Sequence, residues 1–146
     1  MDKLDEIFKM QQDLNSRVFV DNILDISYEN LLKCGDRLKN DEATEADKKI
    51  IQRWAQDYFR AIQQECAEGI DSTNWKWWRT KVDKFDYQNL KVEVIDIIHF
   101  VVSLCQILGM TPEDVHRIYQ QKNAINHTRQ DFNYLFKDEN DCKGIK

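Results

Sequence analysis

Two carboxylates lie inside the most apolar stretch of the chain. Glu93 and Asp96 occupy the segment KVEVIDIIHFVVSLCQILG, residues 91–109, which otherwise consists largely of Val, Ile and Leu. At ~100° per residue, a helix over this segment places both acids on one face together with Phe100 and Ser103. Two ionised carboxylates this close repel each other and lose hydration, at a cost of roughly several kcal/mol per ion. A cation must offset that cost.

A second acidic pair, Glu65 and Glu68, lies in the segment QQECAEG and has the same i, i+3 spacing. Glu65 falls on the apolar stripe of its helix, close to the direction of Tyr58. Single pairs of this kind are common on solvated helix faces, but the apolar setting of the other pair favours a site. Two neighbouring antiparallel helices would bring all four acids around one cavity. Because oxygen ligands without cysteine suit hard cations, the pattern predicts Mg²⁺ or Mn²⁺ rather than zinc.

Opposite charge is found near the end of the chain. Lys122, Asn126 and Arg129 in the segment YQQKNAINHTRQDFNY are spaced four and three residues apart, so they share one helical face. Arg offers a fork of donors and Lys a point charge, which together suit a polyphosphate. Taken alone, the same pattern also fits a solvated polar face.

Aromatic and amide side chains suggest a pocket for a base. The segment NWKWWR concentrates three tryptophans, which either plug the end of a helical bundle or pack against a nucleoside. Gln12 and Asn15 in QQDLN lie one helical turn apart, so their amides can form paired hydrogen bonds with a base edge.

The elements that must position these residues are helical. The apolar periodicity predicts helices over Lys3 to about Arg17, over Tyr28–Leu38, from Thr44 to Gly69, and from Tyr87 to Gly109. A last helix follows, with Thr111 as its cap and Pro112 at its first position, reaching as far as Phe132. The sequence therefore predicts an all-α bundle of four to five helices, in a single domain over residues 1–146 with a frayed tail at 137–146.

Composition excludes several functional classes. Hydrophobic residues make up 42% of the chain, and 4 Gly with 1 Pro are too few for a many-stranded β fold. The net charge of −5 disfavours nucleic-acid binding. Neither a leader peptide nor a membrane span is expected, because acids interrupt the apolar run and the N-terminus is charged. The 4 cysteines lack metal-binding spacing and indicate free thiols, with Cys66 and Cys105 in the core, in a reducing cytoplasm.

With these residues in view, the chain resembles the dimeric all-α dUTPases of the all-α NTP pyrophosphatase superfamily, which also contains the MazG-like enzymes. The resemblance covers nearly the whole chain. It lies in the paired Glu-x-x-Glu and Glu-x-x-Asp motifs, Gln12-x-x-Asn15, the KWW of residues 76–78, DIIHF around Phe100, and the closing Lys122-x3-Asn126-x2-Arg129-Gln130-x3-Tyr134. The short connection between Asp96 and Lys122 resembles compact members from bacteria and their phages.

The resemblance implies Mg²⁺-dependent hydrolysis of dUTP to dUMP and pyrophosphate, which sanitises the nucleotide pool and supplies a dTMP precursor. It implies two or more ions held by Glu65, Glu68, Glu93 and Asp96, with Glu65 or Glu68 as the general base. It assigns the phosphate chain to Lys122, Asn126, Arg129 and Tyr134, and the deoxyuridine pocket to Gln12, Asn15, Trp77 and Phe100. It further implies a homodimer in the cytoplasm of a bacterium or a phage-infected cell.

Three alternatives stay open at this point. One is the same chemistry on dCTP or on nucleoside triphosphates in general, since an amide that reads uracil can be inverted to read cytosine. A carboxylate-bridged di-iron bundle is the second, although His99 falls about 120° from Glu93 and no second Asp-x-x-His motif exists. The third is a non-enzymatic helical module that binds a protein partner.

Overall fold

The computed structural model describes residues 2–81, 84–131 and 140–145. Within these ranges the chain forms five helices and no strand, which confirms the predicted all-α fold. Their bounds are α1 Lys3–Asp21, α2 Tyr28–Lys39, α3 Glu45–Asp71, α4 Tyr87–Ile107 and α5 Pro112–Asp131. The chain divides into two compact units, Met1–Gly109 with α1 to α4 and Met110–Lys146 with α5, and each is described by itself.

Side-chain caps fix where these helices begin. Thr44 caps α3 as predicted, and Asp47 reciprocates by accepting from the Thr44 backbone N–H, which completes a capping box. Asp47 also accepts from both ends of the Arg37 guanidinium, with Nε at 3.0 Å, so the cap ties α3 to α2. α5 begins at Pro112, again as predicted.

Two predicted helix ends were wrong. α1 continues past Arg17 to Asp21, which places Phe19 in the core. α3 continues through Gly69 to Asp71. Gly69 is not a stop because it lies where α3 approaches α4: a β-carbon there would be 3.5 Å from Cβ of Glu93. The predicted end of α5 at Phe132 lies outside the described residues.

The core of the first unit lies where α2, α3 and α4 meet α1. Leu31 and Ile107 are fully buried, and Phe19 contacts both Tyr28 and Trp54 at ring-centroid distances of 5.1 and 4.7 Å. Aromatic pairs at such distances add to the free energy gained by burying apolar area. The core therefore holds α1, α2 and α3 against the second half of α4.

Two glycines bring α2 and the end of α4 into backbone contact. A β-carbon on Gly35 would collide with the carbonyl oxygen of Ile107 and lie 3.0 Å from the amide nitrogen of Gly109. Gly109 has φ +70°, and a β-carbon there would lie 2.7 Å from the carbonyl oxygen of Gly35. Glycine is required at both positions, for close approach at the first and for close approach and backbone conformation at the second.

All 4 cysteines are free, as predicted. The prediction that Cys66 belongs to the core is wrong, because its side chain is exposed on α3. No single helix among the described residues is both long enough and apolar enough to span a membrane. Among these residues, α4 and α5 counted together reach the length and apolar composition of a membrane span.

Candidate metal centre and nucleoside cavity

Three carboxylates from α3 and α4 converge in the first unit. One oxygen each of Glu65, Glu93 and Asp96 lies within 4.8 Å of the others. Glu93 is buried, and the other two are partly buried. Close packing of α3 on α4 at Gly69 brings the acids together from two helices. The donor set is all oxygen and carries no ion-pair partner within the described residues, so it fits a hard divalent cation.

Asn89 orients the buried member of this cluster. Its Nδ2 donates to Oε1 of Glu93 at 2.8 Å and to Oγ of Ser72 at 2.9 Å. Asn89 lies one turn before Glu93 on α4, and Ser72 caps the C-terminal end of α3. The hydrogen bond uses one oxygen of Glu93 and leaves the other for a cation.

The electrostatics of the cluster favour the binding of a cation. Burial raises the pKa of Glu65, and the neighbouring charges of Glu68, Glu93 and Asp96 raise it further. A carboxyl group surrounded by three others is disfavoured in its ionised form unless a cation is bound. The residues therefore suit a site that loses protons when it takes up a metal.

Glu68, the fourth predicted ligand, is exposed and does not join the other three. Its Oε1 accepts from Nε2 of Gln64 at 3.0 Å on the same helix. The i, i+3 spacing turns it about 60° away from Glu65 around α3, which accounts for its exposure.

A cavity of about 470 Å³ adjoins the acidic cluster within the first unit. Glu65 and Asp96 form part of its wall. The rest of the wall is apolar and aromatic side chains with a few polar groups: Gln11, Leu14, Asn15, Val18, Phe19, Leu24, Trp54, Tyr58, His99 and Phe100. Burial raises the pKa of Tyr58 to about 12, so its hydroxyl is neutral and can donate. A mostly apolar cavity of this size, with few polar groups, is typical of a small-molecule site.

The structure places two of the four predicted nucleoside residues in the cavity wall. Asn15 and Phe100 line the cavity, and Phe100 contacts Tyr58 with ring centroids 6.3 Å apart. Gln12 is exposed and does not line it; the neighbouring Gln11 does, and it is buried. Trp77 is 86% exposed, and its ring packs against that of Trp78.

The second unit contains the predicted phosphate-binding residues. Lys122 and Asn126 lie on one face of α5, and the Lys122 Nζ donates to Asn126 Oδ1 at 3.0 Å. Arg129 is largely buried and donates from Nε and Nη2 to the two oxygens of Asp141, both at 2.7 Å. The guanidinium lowers the pKa of Asp141. Tyr134 lies outside the described residues, and residues 140–145 of the predicted frayed tail form consecutive turns.

The sequence patterns did not identify Gln11, Asn89 and Trp54 as residues of the site. Gln11 stands four residues before Asn15, and Asn89 four residues before Glu93, so the i, i+4 spacing of a polar residue with a predicted site residue could have found both. Trp54 belongs to the predicted apolar stripe of α3. No pattern distinguishes an aromatic side chain that lines a cavity from one that fills a core.

Comparison with known proteins gives a family match over most of the chain. Residues 3–105 and 102–134 match a family described as dUTPase. No solved structure matches.

Two phage proteins are similar over a shorter segment. A dCTP pyrophosphatase of Enterobacteria phage T4 is 34% identical over 74 residues, which cover 43% of this chain and 43% of the relative. A dCTP pyrophosphatase of Enterobacteria phage LZ5 is 32% identical over 74 residues, with the same two shares. The chain thus spans less than half the length of these relatives.

Proposed function

The chain belongs to the all-α dUTPase family, and on that basis we propose that it hydrolyses a deoxypyrimidine nucleoside triphosphate to the monophosphate and pyrophosphate. The observation that carries the proposal is the wall shared by the acidic cluster and the cavity, since Glu65 and Asp96 belong to both. A nucleoside in the cavity would extend its phosphates toward these carboxylates.

Two substrates are candidates. dUTP is favoured by the description of the family, and its products would be dUMP and pyrophosphate. dCTP is favoured by the names of the two phage relatives. The two triphosphates differ only at the edge of the base, so the same carboxylates would serve either reaction.

The acidic cluster fits Mg²⁺, with Mn²⁺ as a substitute, and two or more ions would engage the predicted ligands. Glu65, Glu93 and Asp96 would hold the metal, and Glu68 would join after leaving Gln64. Bound Mg²⁺ would neutralise phosphate charge and lower the pKa of a coordinated water.

The chain's own residues would complete the reaction. Glu65 or Glu68 would act as the general base that takes a proton from the attacking water. Phe100 and Asn15, both in the cavity wall, would position the nucleoside. By family resemblance Gln12 and Trp77 would also contact the nucleoside. Neither residue lines the cavity within this chain, so both would have to approach a nucleoside held there.

The phosphate chain would be held by Lys122, Asn126, Arg129 and Tyr134, as the resemblance implies. Lys and Arg would stabilise the negative charge that develops on the phosphate oxygens. Arg129 already binds Asp141 through a bidentate pair, so a phosphate group would have to replace that carboxylate or add to it.

We expect a homodimer, because apolar faces of the first unit are exposed. They comprise Ile7, Met10, Leu14 and Val18 on α1, and Val94, Ile98 and Val101 on α4. Exposed apolar side chains repeated along a helix in this way mark an interface, and a second copy of the chain would cover them. Met10→Glu should shift the mass measured by light scattering toward the monomer, whereas Val20→Glu, on another face of α1, should not.

The activity is tested by measuring pyrophosphate release from dUTP, dCTP and dTTP with Mg²⁺. Glu93→Gln should reduce turnover by about a thousandfold or more, because it removes a charged ligand while keeping the side-chain shape. Glu29→Gln, an exposed acid paired with Lys33, is the matched control and should keep full activity. Near-normal turnover of Glu93→Gln would refute the metal assignment. Absence of turnover on every triphosphate would favour the non-enzymatic helical module.

A further inference from the structure

The cavity rests on a hydrogen-bond network that begins at two backbone carbonyls. Nε2 of Gln106 donates to the carbonyl oxygen of Phe8 at 2.7 Å, and Oγ of Ser103 donates to that of His99 at 2.9 Å. A carbonyl oxygen only accepts hydrogen bonds, so the direction of the network is fixed at both origins. Ser103 and Gln106 are buried, and neither lines the cavity.

The hydrogen bond from Gln106 to the Phe8 carbonyl fixes the orientation of the Asn15 amide. Because the nitrogen of Gln106 faces Phe8, its oxygen accepts from the hydroxyl of Tyr28 at 2.7 Å. That hydroxyl has a single hydrogen, so its oxygen must accept the bond from Nδ2 of Asn15 at 2.8 Å. The oxygen of Asn15 therefore points away from Tyr28.

The hydrogen bond from Ser103 to the His99 carbonyl independently requires the same orientation of the Asn15 amide. The only hydrogen of the Ser103 hydroxyl is used on a carbonyl, so its oxygen accepts from Nδ2 of Asn15 at 2.9 Å and from Nε2 of Gln11 at 3.0 Å. Nε2 of Gln11 donates its other hydrogen to Oδ1 of Asn15 at 2.9 Å. All amide hydrogens of both residues are thus used inside the protein.

Only acceptors remain for a ligand on this part of the wall. Gln11 and Asn15 line the cavity, and each can offer a ligand a lone pair of its amide oxygen. Oε1 of Gln11 also lies 2.5 Å from Nδ1 of His99, which must therefore carry the hydrogen of that bond. In the neutral ring the other nitrogen of His99 is a further acceptor.

Two other polar groups of the wall do not alter this conclusion. The indole N–H of Trp54 has no partner among the described residues and can donate. The Tyr58 hydroxyl can donate or accept. Uracil and cytosine both carry a carbonyl at position 2, and a bond from either group to that carbonyl does not distinguish the two bases.

We infer that this network makes the cavity select an amino-bearing pyrimidine, cytosine, over uracil and thymine, with Tyr28, Ser103 and Gln106 as positioning residues. The inference rests on the proposed function. The amino group of cytosine has two hydrogens for the two amide oxygens. Uracil and thymine present a carbonyl at the same position and only one donor beside it, the N3–H, so at most one amide oxygen would be bonded and the other would face a carbonyl.

The test is the ratio of kcat/KM for dCTP to that for dUTP, measured with Mg²⁺. The wild-type ratio should be at least about tenfold in favour of dCTP. Ser103→Ala releases one amide hydrogen on Gln11 and one on Asn15, and should reduce the ratio about tenfold. Ser16→Ala, whose exposed hydroxyl donates to the Gln12 carbonyl, is the matched control and should leave the ratio unchanged.

A change in this ratio separates a positioning role from a structural one, because general loss of folded protein lowers both rates equally. Tyr28→Phe removes another member of the network and should shift the ratio in the same direction if Ser103→Ala does not fold. A wild-type preference for dUTP, or an unchanged ratio in both variants, would overturn the inference and leave the proposed hydrolysis standing.

Failure of the proposed function would appear differently, as no pyrophosphate release from any deoxynucleoside triphosphate. Calorimetric titration with dCMP and dUMP then decides the inference without turnover. Tighter binding of dCMP by the wild type, reduced in Ser103→Ala, would support base selection by the network. Equal binding of the two monophosphates would overturn it.

Discussion

The side-chain amide of Asn89 bonds the buried carboxylate of Glu93 at 2.8 Å and holds one of its oxygens on the side of Ser72. The remaining oxygen is the one available to the acidic cluster. A group that orients a metal ligand in this way contributes substantially to the affinity for the metal. Asn89 thereby links the end of α3 to the acid on α4.

Asn89→Ala should weaken Mg²⁺ or Mn²⁺ binding by about 10- to 100-fold, because Glu93 loses the bond that orients it. Calorimetric titration with MnCl₂ measures the change directly. Asn22→Ala removes an amide that donates to the Val18 carbonyl on the exposed side of α1, and it should bind Mn²⁺ like the wild type. Unchanged affinity in Asn89→Ala would exclude the orienting role.

The pair formed by Arg37 and Asp47 should make stability depend on pH. The Arg37 guanidinium, with help from Thr44, holds the pKa of Asp47 well below its ordinary value of 3.8. A depressed pKa in the folded state contributes stability above the unfolded value, and that contribution is lost as pH falls toward the folded value. The wild type should therefore lose Tm below about pH 4.

Asp47→Asn provides the comparison for this prediction. Its Tm should be lower than that of the wild type at pH 7, and the gap should narrow as the pH falls below 4, because only in the wild type does residue 47 of the unfolded chain take up a proton there while the folded state keeps its ion pair. Asp57→Asn, an exposed acid paired with Arg60, is the control. A gap that stays constant down to pH 2 would refute the assignment.

The bond between Arg129 and Asp141 should compete with substrate. If Arg129 binds phosphate, Asp141→Asn frees it from a bidentate carboxylate and should lower the KM for the triphosphate by up to about fivefold. Steady-state kinetics on the better of dCTP and dUTP measures this effect. Asp131→Asn, an exposed acid at the end of α5, should not change the KM. A higher KM in Asp141→Asn would indicate that Asp141 positions Arg129 instead.

Gly35→Ala should destabilise the first unit. Alanine ordinarily stabilises a helix relative to glycine by about 1 kcal/mol. Here the new β-carbon would meet the carbonyl of Ile107, and overpacking of this kind costs about 1–3 kcal/mol. Urea unfolding measures the free energy. Gly144→Ala, where a β-carbon would meet nothing within 4 Å, is the control, and equal stability of the two variants would contradict the prediction.

Much of the candidate site can be predicted from the helical periodicity of apolar residues in the sequence. The apolar run over α4 leaves one polar face, so the joint placement of Glu93, Asp96, Phe100 and Ser103 follows from the sequence alone. Capping chemistry located the starts of α3 and α5 for the same reason, since it is local.

What the sequence could not supply depends on contacts between helices. Gln11 and Gln12 both stand about one turn before Asn15, and only the packing of α1 on α4 determines which of them turns inward. Gly69 looked like a helix stop, yet the same lack of a side chain serves close approach to Glu93.

The contact of Gly35 and Gly109 between α2 and the end of α4 matters for selecting variants with a different base preference. It lies outside the cavity wall, yet it sets the separation of the two helices that carry Tyr28, Ser103 and Gln106. Widening that separation by a fraction of an ångström would lengthen the bonds that fix the two amides. Variants that accept a different base should therefore also arise at Gly35 and Gly109, in a library that leaves every cavity residue unchanged.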